Sequence, residues 1–170
     1  MRKIGFSFSA MIRKVKLSDA AEKAAIYNGY VLRGVETFET EAVPEAEMRA
    51  RISEISARFP YFVAEIDGVV AGYCYAHLWK QRAAYARTWE TTVYLAPEFF
   101  GRGLASALYA ELFDACRAGG CAVLIACITS GNEASVKFHE KSGFEKVSHF
   151  KKVGEKFGRV LDVEDWEKIL

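Results

Sequence analysis

The chain has 170 residues, of which 51% are hydrophobic and 26% charged, a composition that favours one compact globular domain and excludes a disordered chain. The 23 basic and 22 acidic residues leave a net charge of +1, which disfavours a nucleic-acid-binding protein because phosphate contacts require a basic excess. No apolar run approaches the roughly 20 residues that a membrane-spanning helix needs.

The N-terminal residues 1–10 are interpreted as a short extension, so that the folded domain spans residues 11–170. Apolar and basic side chains alternate over residues 11–17, and this period predicts a half-buried strand. Ser18–Asp19 can then cap a first helix, which is predicted to reach about Leu32.

A second helix is predicted after an aperiodic loop over residues 33–43. Pro44 suits the first turn of that helix, and apolar side chains recur at helical spacing as far as Phe59. The clearest hairpin follows over residues 61–78, with Asp67–Gly68 as its two-residue turn.

The next strand is predicted over residues 85–95, and Pro97 ends it, because proline cannot donate to a strand ladder. A glycine-rich turn then opens an amphipathic helix, which Gly119–Gly120 end. The short apolar run 121–128 predicts a strand that is covered on both faces, and Asn132 can cap a further helix.

Two final strands are predicted over residues 144–153 and 159–166. The order of elements along the chain is therefore β-α-α-β-β-β-α-β-α-β-β. This order predicts a single α/β domain, in which one mixed sheet carries helices on its faces.

The four cysteines are Cys74, Cys116, Cys121 and Cys127, and their spacings match no zinc-binding pattern. Most of them lie in apolar runs, where a free cysteine behaves as a small buried hydrophobic residue. We therefore predict free, buried thiols, a usage that suits the reducing cytoplasm.

The turn between the strand 85–95 and the following helix carries small residues at Gly101, Gly103 and Ala105. Small residues let a ligand approach the backbone, and the first N–H groups of a helix have no intrahelical partner and carry partial positive charge. Such a turn can hold a pyrophosphate, although it can equally be an ordinary helix start. It lacks the lysine of a Walker loop and the acidic partner of a dinucleotide fingerprint.

A second segment follows one predicted strand later, over residues 132–144. Together the two segments resemble the GNAT acetyltransferase superfamily, whose later helix has the pattern Asn-x-x-Ala-x-x-x-Tyr/His-x-x-x-Gly-Phe/Tyr. The matching positions are Asn132, His139, Gly143 and Phe144, with Ala134 beside Ser135 at the alanine position. In the glycine turn, Phe100 stands where the superfamily usually has Gln or Arg.

The chain resembles one branch of that superfamily more closely, the phosphinothricin and methionine sulfoximine N-acetyltransferases. The similarity covers roughly residues 11–166. The segments that carry it are Thr37–Glu39, Arg58–Pro60, Val70–Tyr73, Trp79–Tyr85, Glu90–Tyr94 and His139.

This resemblance implies a mixed, largely antiparallel central sheet with helices on both faces, splayed near the end of the strand 85–95 so that acetyl-CoA enters between two strands. It implies acetyl-CoA as co-substrate, no metal ion, and a small amine as acceptor. The implied cofactor-binding residues are Val93, Tyr94, Leu95, Gly101, Arg102, Gly103, Leu104, Ala105, Ser106 and Asn132. The implied catalytic residues are Glu90 and His139, and the implied substrate-binding residues are Phe38, Lys80, Arg82 and Tyr85.

The implied reaction is direct transfer in a ternary complex. Glu90 takes the proton of the amine, directly or through water, and a backbone N–H near Val93 polarises the thioester carbonyl. His139 either protonates the departing thiolate or orients Glu90, and the sequence does not separate these two roles. Lys80 and Arg82 are cations that can bind the anionic group of a free amino acid.

Each candidate also has a purely structural interpretation. Glu90 can be a solvated strand-edge residue, His139 a hydrogen-bonded core histidine and Asn132 only a helix cap. Lys80 and Arg82 can belong to a solvated loop, whereas Phe38 and Tyr85 can be core aromatic residues.

Two other functions remain open at this point, a protein N-terminal acetyltransferase with the same machinery and a coenzyme A-binding module without turnover. A nucleic-acid-binding module is the most remote alternative, because the chain is nearly neutral. The resemblance further suggests a homodimer, and we expect neither a nucleic acid nor a membrane as partner.

Overall fold

The structure is a computed structural model, and it describes residues 10–170. The extension predicted over residues 1–10 therefore lies outside the described residues except for Ala10, which already pairs with Ile66 in the sheet. Within the described part of the chain, no helix is both long and apolar enough to cross a membrane.

The strands are β1 (Ala10–Lys14), β2 (Tyr61–Ile66), β3 (Val69–Leu78), β4 (Thr88–Leu95), β5 (Val123–Thr129), β6 (Glu145–Lys146), β7 (Phe150–Lys156) and β8 (Arg159–Ile169). The helices are α1 (Ala20–Arg33), α2 (Glu45–Ser56), α3 (Leu104–Ala118) and α4 (Glu133–Lys141). The described strands form one sheet in the order β1-β2-β3-β4-β5-β8-β6, with β7 paired to β8. Neighbouring strands are antiparallel except β4 and β5, which confirms the mixed, largely antiparallel sheet.

The two faces of the sheet are covered by different helices, because side chains alternate along each strand. On β2, Phe62 and Ala64 face the apolar cluster that includes α3. Tyr61 and Val63 face the opposite cluster, which α1 and α2 build. Helices therefore lie on both faces, as predicted.

Two strand boundaries differ from the prediction. The predicted strand 144–153 is divided into β6 and β7 at residues 147–149. Within β7 the pairing with β8 shifts register between Phe150 and Gly154, where Lys152 adopts a φ of +57° and its N–H donates to the carboxylate of Asp162 instead of a strand partner. The predicted strand 85–95 begins only at Thr88, because Ala83–Tyr85 form a single 3₁₀ turn. Local side-chain bonds of this kind leave no periodic signal in a sequence.

Asp19 occupies the predicted cap position before α1 but does not cap the helix. Its carboxylate instead accepts two hydrogen bonds of 2.8 Å from Arg13 and one of 2.7 Å from the backbone N–H of Lys16. The acidic residue therefore ties β1 to the start of α1.

The cysteine prediction is correct for three residues and wrong for one. All four are free thiols, and Cys74, Cys116 and Cys121 are buried. Cys127 is exposed, because its position on β5 faces a cavity in the sheet and not a helix.

Candidate active site

The sheet opens between its two parallel strands. β4 and β5 pair only from Thr88 to Glu90 and from Val123 to Ile125, whereas β5 stays paired with β8 as far as Thr129. Beyond Glu90 the two parallel strands diverge, and a cavity of about 590 Å³ lies in the gap. The splay predicted near the end of this strand is therefore present.

The cavity brings together about half of the predicted site residues. Those that line it are Phe38, Glu90, Val93, Tyr94, Leu95, Ala105, Asn132 and His139. They come from four separate parts of the chain. The fold brings them together because the end of β4 and the first turns of α3 and α4 all lie at this gap. Catalytic, cofactor-binding and substrate-binding candidates thus share one space.

The turn before α3 presents backbone N–H groups without helical partners. Gly101 and Gly103 have φ values of +74° and +76°, a left-handed conformation that glycine adopts without strain. The first helical hydrogen bond is the one from the Ala107 N–H to the Gly103 carbonyl, 3.1 Å long. The N–H groups of Leu104, Ala105 and Ser106 therefore precede the hydrogen-bonded part of the helix, which suits an anion such as a pyrophosphate.

Arg102 lies at the same turn with an exposed side chain. Its guanidinium carbon is 5.2 Å from the centre of the Phe99 ring, and its Nη2 donates to the Glu98 carbonyl over 3.3 Å. The guanidinium of Arg102 thus packs against the 3₁₀ turn Pro97–Phe99, immediately before the glycine turn.

Asn132 starts α4 as predicted. Its side-chain oxygen accepts a 3.2 Å hydrogen bond from the Ser135 N–H, the bond expected of an N-cap residue. Asn132 also lines the cavity, so capping and ligand contact are compatible at this position.

Glu90 lies inside the gap with 31% of its side chain exposed. Burial raises the pKa of its carboxyl group, and the charge of Asp165 raises it further, while His77 lowers it. A carboxylate whose pKa is raised towards neutrality is a better proton acceptor than an ordinary surface carboxylate.

His139 is buried, with 4% of its surface exposed. Its Nδ1 lies 2.8 Å from the carbonyl oxygen of Ser135, so Nδ1 carries the hydrogen and Nε2 accepts from the Tyr109 hydroxyl, 2.9 Å away. Burial lowers the pKa of His139, which keeps the ring neutral. Both ring nitrogens are therefore occupied within the protein. The Tyr109 hydroxyl also accepts a 3.4 Å hydrogen bond from Thr91, which links α4 through α3 to β4.

Lys80, Arg82 and Tyr85 do not line this cavity. They lie in the connector between β3 and β4, where the Lys80 ammonium is 3.9 Å from the centre of the Trp79 ring and 5.3 Å from that of Tyr85. Lys80 and Arg82 are exposed. Their assignment to the substrate stays a prediction.

Sequence reasoning missed several polar side chains of the cavity wall. These are Tyr27, Tyr30, Tyr75, His77 and Tyr109. The Tyr30 hydroxyl donates to the Leu95 carbonyl over 2.5 Å, which ties α1 to β4. The alternation of Tyr75 and His77 on β3 is visible in the sequence, but only the register between β3 and β4 places His77 opposite Glu90.

A sheet opened between parallel strands, with a helix start whose N–H groups lack helical partners and a carboxylate inside the gap, is the arrangement expected of a coenzyme A-dependent acyltransferase. The chain belongs to the acetyltransferase (GNAT) domain family, which it matches over residues 12–164. The predicted family, fold and enzyme class are therefore confirmed.

Two curated relatives are similar to this chain over most of its length. The phosphinothricin N-acetyltransferase of Alcaligenes faecalis is 40% identical over 153 residues, which cover 89% of this chain and 78% of the relative. The L-methionine sulfoximine/L-methionine sulfone acetyltransferase of Salmonella typhimurium is 34% identical over 156 residues, covering 89% and 90% of the two chains.

Two solved structures share the fold. A phosphinothricin acetyltransferase from Sinorhizobium meliloti in complex with acetyl-CoA has a TM-score of 0.91 and 37% identity, covering 95% of this chain and 89% of its own. A ribosomal-protein-alanine N-acetyltransferase from Brucella melitensis has a TM-score of 0.91 and 34% identity, covering 94% and 99%.

Proposed function

We propose that this protein moves the acetyl group of acetyl-CoA to the amine of a small amino-acid analogue of the phosphinothricin, methionine sulfoximine or methionine sulfone type. The observation that carries the proposal is Glu90, a carboxylate held inside the gap of a GNAT sheet with its pKa raised by burial. The relatives that act on these compounds support the acceptor class.

The cofactor is assigned to the gap between β4 and β5. The pyrophosphate of acetyl-CoA binds the N–H groups from Gly101 to Ser106, beside Arg102, and the acyl arm runs along Val93–Leu95 towards Glu90. Asn132 flanks the same gap from α4. The start of α3 supports this orientation of acetyl-CoA, because the first N–H groups of the helix have no helical partner and can bind the pyrophosphate.

The reaction then follows from the groups that line the gap. Glu90 takes a proton from the acceptor's ammonium group, and the neutral amine attacks the thioester carbon while a backbone N–H near Val93 binds the carbonyl oxygen. The C–S bond breaks as the C–N bond forms, and the amine's second proton leaves with the thiol. His139 is assigned the role of orienting the site and not that of the acid for the departing thiolate, since both of its ring nitrogens are already hydrogen-bonded within the protein.

The acceptor's anionic group is assigned to Lys80 and Arg82, with Phe38 and Tyr85 as walls. The connector that carries them leaves β3 directly after the residue opposite Trp89, so it lies at the Glu90 end of the gap. A planar guanidinium suits a carboxylate or phosphinate, which have paired oxygen atoms.

A protein N-terminal acetyltransferase is the second candidate, because the Brucella melitensis structure is 34% identical to this chain. A peptide acceptor has no carboxylate next to its amine. The exposed cations of the connector therefore favour the free amino-acid analogue.

One experiment separates these functions. Purified protein and acetyl-CoA are incubated with phosphinothricin, methionine sulfoximine, methionine sulfone and alanine-initiated peptides, and the released thiol is measured. We expect turnover with at least one amino-acid analogue. Turnover with peptides alone would favour the second candidate, and binding of acetyl-CoA without any thiol release would leave only a coenzyme A-binding module.

We also propose a homodimer in the cytoplasm. Four apolar side chains of the β7–β8 hairpin are exposed, namely Phe150, Val153, Phe157 and Val160, and exposed apolar patches often mark protein interfaces. The free thiols are consistent with a reducing compartment. Sedimentation of the wild-type protein beside Phe157→Ser measures the assembly.

A further inference from the structure

His77 and Glu90 face each other across two strands. The antiparallel register of β3 and β4 pairs the two residues directly, and directly paired side chains project to the same face of a sheet. The imidazole Nε2 lies 3.9 Å from the Glu90 Oε1, and both residues line the cavity.

The hydrogen-bonding of His77 shows which nitrogen can exchange a proton with Glu90. Its Nδ1 lies 2.9 Å from the carbonyl oxygen of Leu78, and a carbonyl only accepts, so Nδ1 carries a hydrogen. Nε2 is therefore the nitrogen that binds or releases a proton on the side of Glu90.

The other groups around the pair are neutral or negative. Tyr75 on β3 has its ring centre 5.9 Å from that of His77, and burial raises the pKa of Tyr75 to about 12. Although Cys127 on β5 is accessible to solvent from the cavity, desolvation by the surrounding wall, together with the charges of Glu90 and Asp165, raises the pKa of its thiol to about 12, so this thiol stays protonated. The negative charge of Asp165 on β8 raises the pKa of Glu90, whereas His77 lowers that pKa.

We propose that His77 acts through Glu90 as a proton relay, a role that rests on the proposed acetyl transfer. Glu90 takes a proton from the acceptor's ammonium group, so that an N–H bond breaks and an O–H bond forms. The proton then passes from Oε1 to His77 Nε2, by a small side-chain rotation or through one water, and leaves to solvent. The imidazolium formed in between holds Glu90 as a carboxylate for the next turnover.

Exposure distinguishes this histidine from the other one at the site. His77 has 35% of its side chain exposed, whereas His139 is 4% exposed and hydrogen-bonded at both ring nitrogens. His77 can therefore deliver a proton to bulk water, and His139 has no comparable route. The structure thus gives the two histidines separate tasks.

The first test does not depend on turnover. Carboxyl-carbon NMR follows the titration of Glu90 in the wild type, in His77→Gln and in the control His149→Gln, which removes an exposed histidine 2.8 Å from Asp162. We expect the Glu90 midpoint to rise by about 0.7 pH unit in His77→Gln, the value for two unit charges about 4 Å apart in water. An unchanged midpoint would overturn the proposal, whether or not the protein transfers acetyl groups.

The second test measures kcat/KM against pH with an acceptor that the wild type uses. His77→Gln should lose about fivefold on the acidic limb and approach the wild type at alkaline pH, where Glu90 is ionised unaided. Added imidazole should restore His77→Ala but leave the wild type and His149→Gln unchanged. A uniform loss at every pH without imidazole rescue would mean that His77 is merely structural, whereas a wild type without any turnover would refute the proposed function alone.

Discussion

At the scale of single residues, Glu90 is the group on which the proposed chemistry depends. Glu90→Gln keeps the shape of the side chain and removes the proton acceptor. We expect turnover to fall about 100-fold or more near neutral pH, the usual size of general-base catalysis. Because a free amine deprotonates unaided at higher pH, the loss should shrink as pH rises.

The measurement is the pH profile of kcat in Glu90→Gln beside Glu111→Gln, which replaces an exposed glutamate on α3. If Glu90→Gln matches Glu111→Gln at every pH, Glu90 has only a structural role. The raised pKa of Glu90 also sets the sign of the wild-type profile, in which activity is lost as pH falls and the carboxylate is protonated.

Lys23 is a second residue whose burial has a measurable effect. Its side chain is 4% exposed, with Nζ 4.4 Å from the centre of the Tyr73 ring and 2.7 Å from the Met48 sulfur. Burial lowers its pKa from the usual 10.5 to about 7. The unfolded chain therefore binds the proton more tightly, and the free energy of unfolding should rise with pH between about 7 and 10.5.

Lys23→Met should abolish that pH dependence. At pH 7 it should raise the free energy of unfolding by roughly 2–4 kcal/mol, because each pKa unit corresponds to about 1.4 kcal/mol and contacts with the tyrosine rings offset part of the cost of burying the charge. The advantage should vanish near pH 10. Urea unfolding of Lys23→Met and of the exposed Lys14→Met, at several pH values, checks this. A wild-type stability that is flat from pH 7 to 10 would show that Lys23 stays charged in the folded protein.

At the scale of elements, the start of α3 is tested by a pair of matched glycines. Gly103 and Gly158 have φ values of +76° and +68°, and a Cβ at either position meets open space. Gly103→Val and Gly158→Val should therefore lose similar stability. Only Gly103→Val should lose acetyl-CoA affinity, by about tenfold or more, because a hydrogen bond to a charged group contributes about 1.5–3 kcal/mol.

Calorimetry of acetyl-CoA binding to both folded variants gives the answer. If both variants bind acetyl-CoA as tightly as the wild type, the pyrophosphate does not bind at this turn. An equal loss in both variants would instead point to a general effect of backbone strain.

The connector between β3 and β4 carries the substrate prediction. Arg82→Ala should raise the KM for amino-acid analogues more than it lowers kcat, the pattern of lost ground-state binding, and leave acetyl-CoA affinity unchanged. Its neighbour Gln81, also exposed, provides the control Gln81→Ala. Steady-state kinetics in which both variants behave as the wild type would remove Arg82 from the acceptor site.

Elements with a regular period were predictable from the sequence, and their irregular ends were not. The hairpin at Asp67–Gly68 and the Asn132 cap appear where the sequence places them. The register shift at Lys152 was hidden, because it accompanies a bond to Asp162 that only the folded chain forms. The site shows the same division, since Glu90 was found from its motif but His77 depends on the register of its neighbour strand.

At the scale of the whole molecule, the sheet is two halves joined along a short seam. β1–β4, with α1, α2 and α3, form one half, and β5–β8 with α4 form the other. The parallel seam comprises three residue pairs, ending at Glu90 and Ile125. Composition and element order predicted the class of sheet, but the length of this seam is a tertiary property that no local pattern encodes.

Because the pairing between β4 and β5 is so short, we expect a ligand bound in the gap to stabilise the contact between the two halves of the sheet. If acetyl-CoA binds between β4 and β5 as proposed, it occupies the place of the missing ladder and connects the two halves, so we expect its release to require the two strands to separate further. Amides of Thr91–Leu95 should exchange with deuterium more slowly with acetyl-CoA present, while those of β2 stay unchanged. Equal exchange with and without acetyl-CoA would show that ligand binding does not stabilise the sheet. Slower exchange with acetyl-CoA would indicate that separation of β4 from β5 limits the rate at which coenzyme A is released.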